Sequence, residues 1–235
     1  YSFIEGKKIL SNNITEDHIN QVADFIIKIN SLDSVKQFPN YASDSNDSIQ
    51  SFIVSIENRI KNLIFTNNID SKLKNKLIIL KKTIMKLWIV EKNNIYKNFS
   101  LSEIKQRSPL FLSPSDIGFH NILINNNKLF FLDFEYSGLD DLVKLINDLF
   151  ICPSVNIPNC YKQKFISRLK TSLKTDALFD RRLSGLEKSY KIKWSCILLN
   201  EYLTHSEDRR KFADTRKNYK LSNDQYYRSM ELLLN

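Results

Sequence analysis

Along most of this chain apolar residues recur every three to four positions, and over one short stretch they do not. That change of period limits the folds open to it. From Ile14, residues Ile19, Val22, Ala23, Ile26 and Ile27 share a helical face. Thr15 is placed to cap that helix, Glu16 and Asp17 face the positive end of its dipole, and Ile14 is set to staple onto Ile19. After a polar loop at 40–48, Ile49, Phe52, Ile53, Ile56, Ile60 and Leu63 mark a second helix; Leu73, Leu77, Leu80, Ile84, Leu87 and Trp88 mark a third. Between 110 and 136 the pattern shortens. Two apolar runs, 121–124 and 129–133, flank Asn125, Asn126, Asn127 and Lys128, which predicts a β-hairpin. Helical patterns resume at 140–150, 161–173, 186–203 and 224–234. The expected fold class is α+β, mostly α-helical, with one hairpin among about seven helices.

A chain of 235 residues, 42% of them hydrophobic, has enough apolar surface for one substantial core, so a single compact unit is expected. A formal charge of +9 draws anions such as nucleic acid, an anionic membrane or a phosphorylated ligand. Lys and Arg are nevertheless spread over every predicted helix without a block of like charge, which reads as a solvated basic surface. Neither a membrane nor a nucleic acid is expected as partner. The three cysteines show neither metal-ligand spacing nor an even disulfide framework, so a reducing cytoplasmic setting is expected, without a bridge between Cys152 and Cys160. No apolar run approaches the roughly 20 residues that span a bilayer. The chain opens on Tyr1, not Met, and on an extended-looking segment before Glu5 and Gly6, as though cut from something longer.

The informative stretch runs from Ser113 through Asp116 and His120 to Asn121, then through the hairpin to Asp133, Phe134, Glu135 and Tyr136. Spacing alone is weak, because Asp70 and Asn75 repeat the Asp-to-Asn interval with no hairpin behind them. The hairpin supplies the specificity: Asn121 opens its first strand and Asp133 closes its second, so both lie at the open end, beside the loop carrying Asp116. Their oxygens are hard ligands suited to Mg²⁺, which bridges to substrate phosphates without a full protein cage. Phosphoryl transfer needs such charge neutralisation together with a carboxylate that orients the attacking hydroxyl and takes its proton. Asp116 is the candidate base, and Asn121 and Asp133 are the candidate metal ligands. The competing reading is a loop whose Asp and Asn only cap turns.

Asp116 with Asn121 resembles the catalytic loop of the protein-kinase-like superfamily. Asp133, Phe134 and Glu135 resemble its metal-binding segment in the form found in aminoglycoside phosphotransferases and choline kinases. The likeness is specific over about 40 residues and rests on helix order beyond them. It implies ATP and Mg²⁺ as cofactors, a nucleotide and a small-molecule hydroxyl acceptor as partners, and a transferase acting on a sugar, an amino alcohol or an aminoglycoside. By the same likeness 1–10 resembles the hinge of a missing N-terminal lobe, with Phe3 and Ile4 at the nucleotide, and 11–235 resembles the helical C-terminal lobe, with its catalytic loop at 113–121 and metal-binding segment at 133–136. His120, Glu135 and Asp148 take supporting positions, Asp148 bracing the loop. Two departures stand out. Pro114 occupies the place where the family's loop carries His, with His120 available to substitute for its bracing. The four glycines, Gly6, Gly118, Gly138 and Gly185, form no phosphate-binding cluster. A chain without that nucleotide lobe implies weak turnover alone, and the alternative function is a non-catalytic kinase-like binding protein.

Overall fold

The computed structural model describes residues 5–31, 40–204 and 223–234. The elements are β1 (Lys7–Lys8), α1 (Glu16–Asn30), α2 (Ile49–Lys61), α3 (Ser71–Asn98), α4 (Leu101–Lys105), β2 (Leu110–Ser113), β3 (Ile122–Asn125), β4 (Lys128–Phe131), β5 (Gly138–Asp141), α5 (Leu142–Ile151), α6 (Lys162–Ser172), α7 (Phe179–Gly185), α8 (Glu187–Leu198) and α9 (Asp224–Leu234). The α+β, mostly helical class is as expected. The single compact unit is not: contacts gather Tyr1–Ile49 with Lys105–Ser184, and Gln50–Ile104 with Gly185–Asn235.

In the first unit the hairpin forms where the period shortens. Asn126 and Asn127 turn the chain with φ of 48° and 62°, the left-handed pair that a two-residue hairpin loop needs and that Asn tolerates. β3 and β4 pair from Ile122 with Phe131 to Asn125 with Lys128, and β1 adds to the outer side of β3. α1 begins at the predicted cap, where Thr15 accepts from the His18 backbone at 3.4 Å while His18 Nδ1 accepts from the Thr15 backbone at 3.2 Å. Two polar side chains of α1 then act as strand edges. Gln21 accepts from Leu129 N and donates to Asn127 O, and Asn30 accepts from Leu112 N and donates to Leu112 O, at 2.8–3.0 Å. The helix thereby holds both the hairpin and β2, and Phe25 stacks on Phe131 at 4.0 Å with Phe134 alongside.

Sequence periodicity missed one sheet. β2 pairs antiparallel with β5, Leu110 with Asp141 through Ser113 with Gly138, so 138–141 is strand and the helix expected from 140 begins at Leu142. The cause is tertiary. Leu139 exchanges backbone bonds with Asn40 and Ala42, and a Cβ on Gly138 would lie 2.4 Å from Ala42 N, so only glycine lets the segment at 40–43 come this close. Asp141 still caps α5, accepting from Val143 N at 3.0 Å, as its position suggests. Asp140 does not cap the helix; it enters an ion pair described below.

The second unit is helical. Asp70 caps α3 by accepting from Leu73 N at 2.9 Å, and no Gly or Pro interrupts the 28 residues that follow. Leu77, Leu80, Ile84 and Trp88 are buried along one side of α3. Phe52 stacks on Tyr190 at 4.4 Å. Ser195 and Ser229, both fully buried, donate to each other's carbonyls at 3.3 and 3.2 Å, and their small side chains let α8 and α9 approach closely. All three cysteines are free, and among the described residues no helix is long and apolar enough to cross a membrane.

Candidate active site

The described candidate site lies in the first unit, and it begins on the turn that leaves β2. Ser113 is buried and its hydroxyl accepts from Ser115 N at 3.0 Å. Ser115 itself has φ 65°, and Asp116 N donates to Pro114 O at 2.9 Å across it. An i to i+2 bond closed through a left-handed non-glycine residue is a rare and strained turn, the kind of strain that persists where the surroundings enforce it. Here Ser115 Oγ donates to Ser43 O at 3.3 Å, tying the turn to the segment that covers β5.

That turn brings three of the expected residues together. Asn121 Nδ2 donates to Asp116 O at 3.1 Å, fixing the loop's two ends to each other. His120 Nε2 lies 3.2 Å from each oxygen of the Asp116 carboxylate. The imidazole lies against Gly118, where a Cβ would come within 2.5 Å of the ring. Its Nδ1 is buried with no hydrogen-bond partner among the described residues, although the Cys152 thiol is near enough to add to the same electrostatic effect. The bond from His120 lowers the Asp116 carboxyl below its ordinary value, against the opposing effect of burial. The bond to Asp116 raises His120 to about 10, so the pair carries both charges at neutral pH.

Asp133 arrives from the other strand. Leu132 N donates to Asn121 O at 3.0 Å, extending the hairpin to its open end and leaving Asp133 one residue beyond Asn121. Asp133 has φ 61° and is exposed, and its carboxylate has no partner among the described residues. Glu135 follows in the exposed turn where Ser137 N donates to Phe134 O at 3.0 Å. No cluster of three or more His, Cys, Asp or Glu side chains fit to hold a metal occurs among the described residues. One unpartnered carboxylate beside one amide oxygen could hold only a cation that completes its shell with water and phosphate. Phe3 and Ile4 lie outside the described residues.

Behind the loop is a buried ionic layer that the sequence reading only partly reached. Lys144, on the largely apolar α5, contacts Asp140 closely and lies 3.7 Å from Asp148. Burial works against its charge, but Asp140 and Asp148 outweigh it and raise its pKa. Arg182 reaches Asp141 at 2.5 Å and Asp176 at 3.2 Å, and it also contacts the Ser108 hydroxyl. Burial raises Asp141 to about 6 against the pull of Arg182. The signal for this layer was a lone Lys one helical turn from two carboxylates, Asp140 and Asp148. Asp148, set among apolar neighbours on α5, faces Lys144 at 3.7 Å. Arg182 carried no comparable local signal.

No protein-family model matches the chain, and no curated protein matches it by sequence. Its fold is that of several solved small-molecule kinases. An ADP-bound aminoglycoside phosphotransferase, APH(2'')-Ib, superposes with a TM-score of 0.53 at 17% identity, over 98% of this chain and 69% of the other. The ethanolamine kinase of Plasmodium vivax gives 0.55 at 14%, over 99% and 62%. The choline kinase of Cryptosporidium parvum Iowa II gives 0.52 at 15%, over 98% and 70%. The chain thus spans less than two thirds of the ethanolamine kinase and slightly more of the other two.

Proposed function

We propose, from a fold held in common with aminoglycoside, choline and ethanolamine kinases, that this chain carries the phosphoryl-transfer site of an ATP-dependent, Mg²⁺-requiring enzyme acting on a hydroxyl of a small molecule. The observation that carries the reading is the juxtaposition of an ionised Asp116, bonded to His120 and Asn121, with the unpartnered Asp133 at the open end of the same hairpin.

Asp116 is the base. It orients the acceptor hydroxyl and accepts its proton while the oxygen bonds to the terminal phosphorus and the bond from that phosphorus to the nucleoside diphosphate breaks. Little basicity is required where the transition state is loose, so a carboxylate made less basic by His120 remains competent and is held in one orientation. Asn121 and Asp133 would hold the cation, which when bound neutralises charge on the phosphate oxygens. Glu135 extends the metal-side segment, and Asp148, through Lys144 and Asp140, braces β5 and hence the loop on its partner strand. The acceptor is a sugar, an amino alcohol or an aminoglycoside-like molecule, and the setting is cytoplasmic.

Asp116→Asn, nearly isosteric, is the test in the full-length protein. Turnover with MgATP and a phosphorylatable alcohol should fall by about 10²–10⁴, a barrier increase of about 3–5 kcal/mol. Unchanged kcat would refute the assignment. Absence of turnover in the unsubstituted protein across acceptor classes would favour the binding-protein reading.

A further inference from the structure

α3 carries eight lysines and one acidic residue, Glu91, which makes it the most basic of the described elements. Its exposure pattern is unusual. Fifteen of its positions are exposed; six are large apolar or aromatic, four are lysine, the rest are uncharged, and none is acidic. Ile78, Met85, Ile89 and Tyr96 follow one another at helical spacing along a ridge, between 40% and 59% exposed. Ile79 and Val90 add a second row at 63% and 55%. Lys72, Lys82, Lys86 and Lys97 share this face and have no partner among the described residues. The lysines at its border are engaged: Lys74 donates to Asn67, Lys81 to Leu63 O and Lys92 to Glu57.

We propose that this face of α3 docks the second unit on an anionic lipid surface. Apolar side chains spread over a helix about 42 Å long would enter the boundary between headgroups and acyl chains, while the lysine stems lie along it and their ammonium groups meet lipid phosphate or carboxylate. The composition selects this occupant over others. A second copy would set lysine against lysine with no acidic residue to meet it. Protein interfaces are depleted in lysine and favour arginine, which the helix lacks. A nucleic acid would leave four aliphatic side chains and a methionine without bases to stack on. Lysine density in the sequence gave no membrane expectation; exposure of both residue types on one face supplies it. The attachment is peripheral, since α3 is not apolar enough to span a bilayer. It is independent of the proposed transferase activity.

Co-sedimentation of the full chain with vesicles of phosphatidylcholine, alone or mixed with phosphatidylserine, tests this. The chain should bind the mixed vesicles at low salt, release as salt rises, and ignore the neutral ones. Lys82→Gln with Lys86→Gln should weaken partitioning about thirtyfold, and Ile89→Ser about tenfold. Both sets are exposed, so folding is checked by circular dichroism, and the salt and lipid arms need no variant. Failure to bind mixed vesicles at low salt overturns the proposal. So does binding that Ile89→Ser leaves intact, the mark of a soluble polyanion partner, or a dimer in sedimentation velocity that Ile89→Ser turns to monomer.

Discussion

Asp116 and His120 titrate as one unit, because a single ring nitrogen faces both carboxylate oxygens. The signs of the two shifts define where the pair stabilises the loop. A carboxyl lowered from 3.8 contributes fully above that value and loses its contribution as pH falls. An imidazole raised from 6.5 to about 10 contributes fully below 6.5 and loses its contribution as pH climbs toward 10. The contribution is therefore whole from about pH 4 to 6.5 and fades above. Followed by NMR, the His120 ring should stay protonated through neutrality and return toward its ordinary value in Asp116→Asn. A ring already neutral at pH 8 in the native chain would disprove the pair. The sequence placed His120 four residues after Asp116 and offered bracing as its work; the ring bonds to the Asp116 carboxylate. It could not reveal that Cys152 lies behind the ring, since that contact depends on how α5 ends.

Helices and hairpin were legible because each writes its own local signal: α1 its Thr15 cap, β3 and β4 their Asn turn. β2 and β5 write none. Each has four residues, and Gly138, Leu139, Asp140 and Asp141 read locally as the approach to a helix; pairing with β2, with the backbone at 40–43 bonded to Leu139 on the other side, makes them a strand. Gly138→Ala tests that account. Its Cβ would fall 2.4–2.8 Å from backbone atoms of Tyr41 and Ala42, which cannot rotate away, so the first unit should lose about 3 kcal/mol in urea unfolding. A loss under a few tenths would mean that β5 does not need the close approach. The Asp116 loop hangs from β2, so the same variant should also loosen the His120 bond.

For the molecule as a whole, the metal reading predicts a linkage measurable without turnover. In the full-length protein, Mg²⁺ with ATP at a hundredfold its dissociation constant should stabilise the native state by about 2.7 kcal/mol and raise Tm by about 5–10 °C. Asp133→Asn should remove the part that depends on Mg²⁺ and keep the part due to nucleotide alone. An equal Mg²⁺ effect in both proteins would place the cation elsewhere. Composition predicted one compact unit and could not divide it, because hydrophobic content counts apolar residues without saying which of them meet.

The interleaving of the two units bears on synthesis. One unit draws on segments ending at Ile49 and Ser184, the other on segments ending at Ile104 and Asn235, so each waits for chain that lies beyond the first half of the other. β1 has no strand to join until Leu123 and Ile124 have left the ribosome. Each unit's first segment must wait while the other's passes, and no single cut in the gene would separate the two.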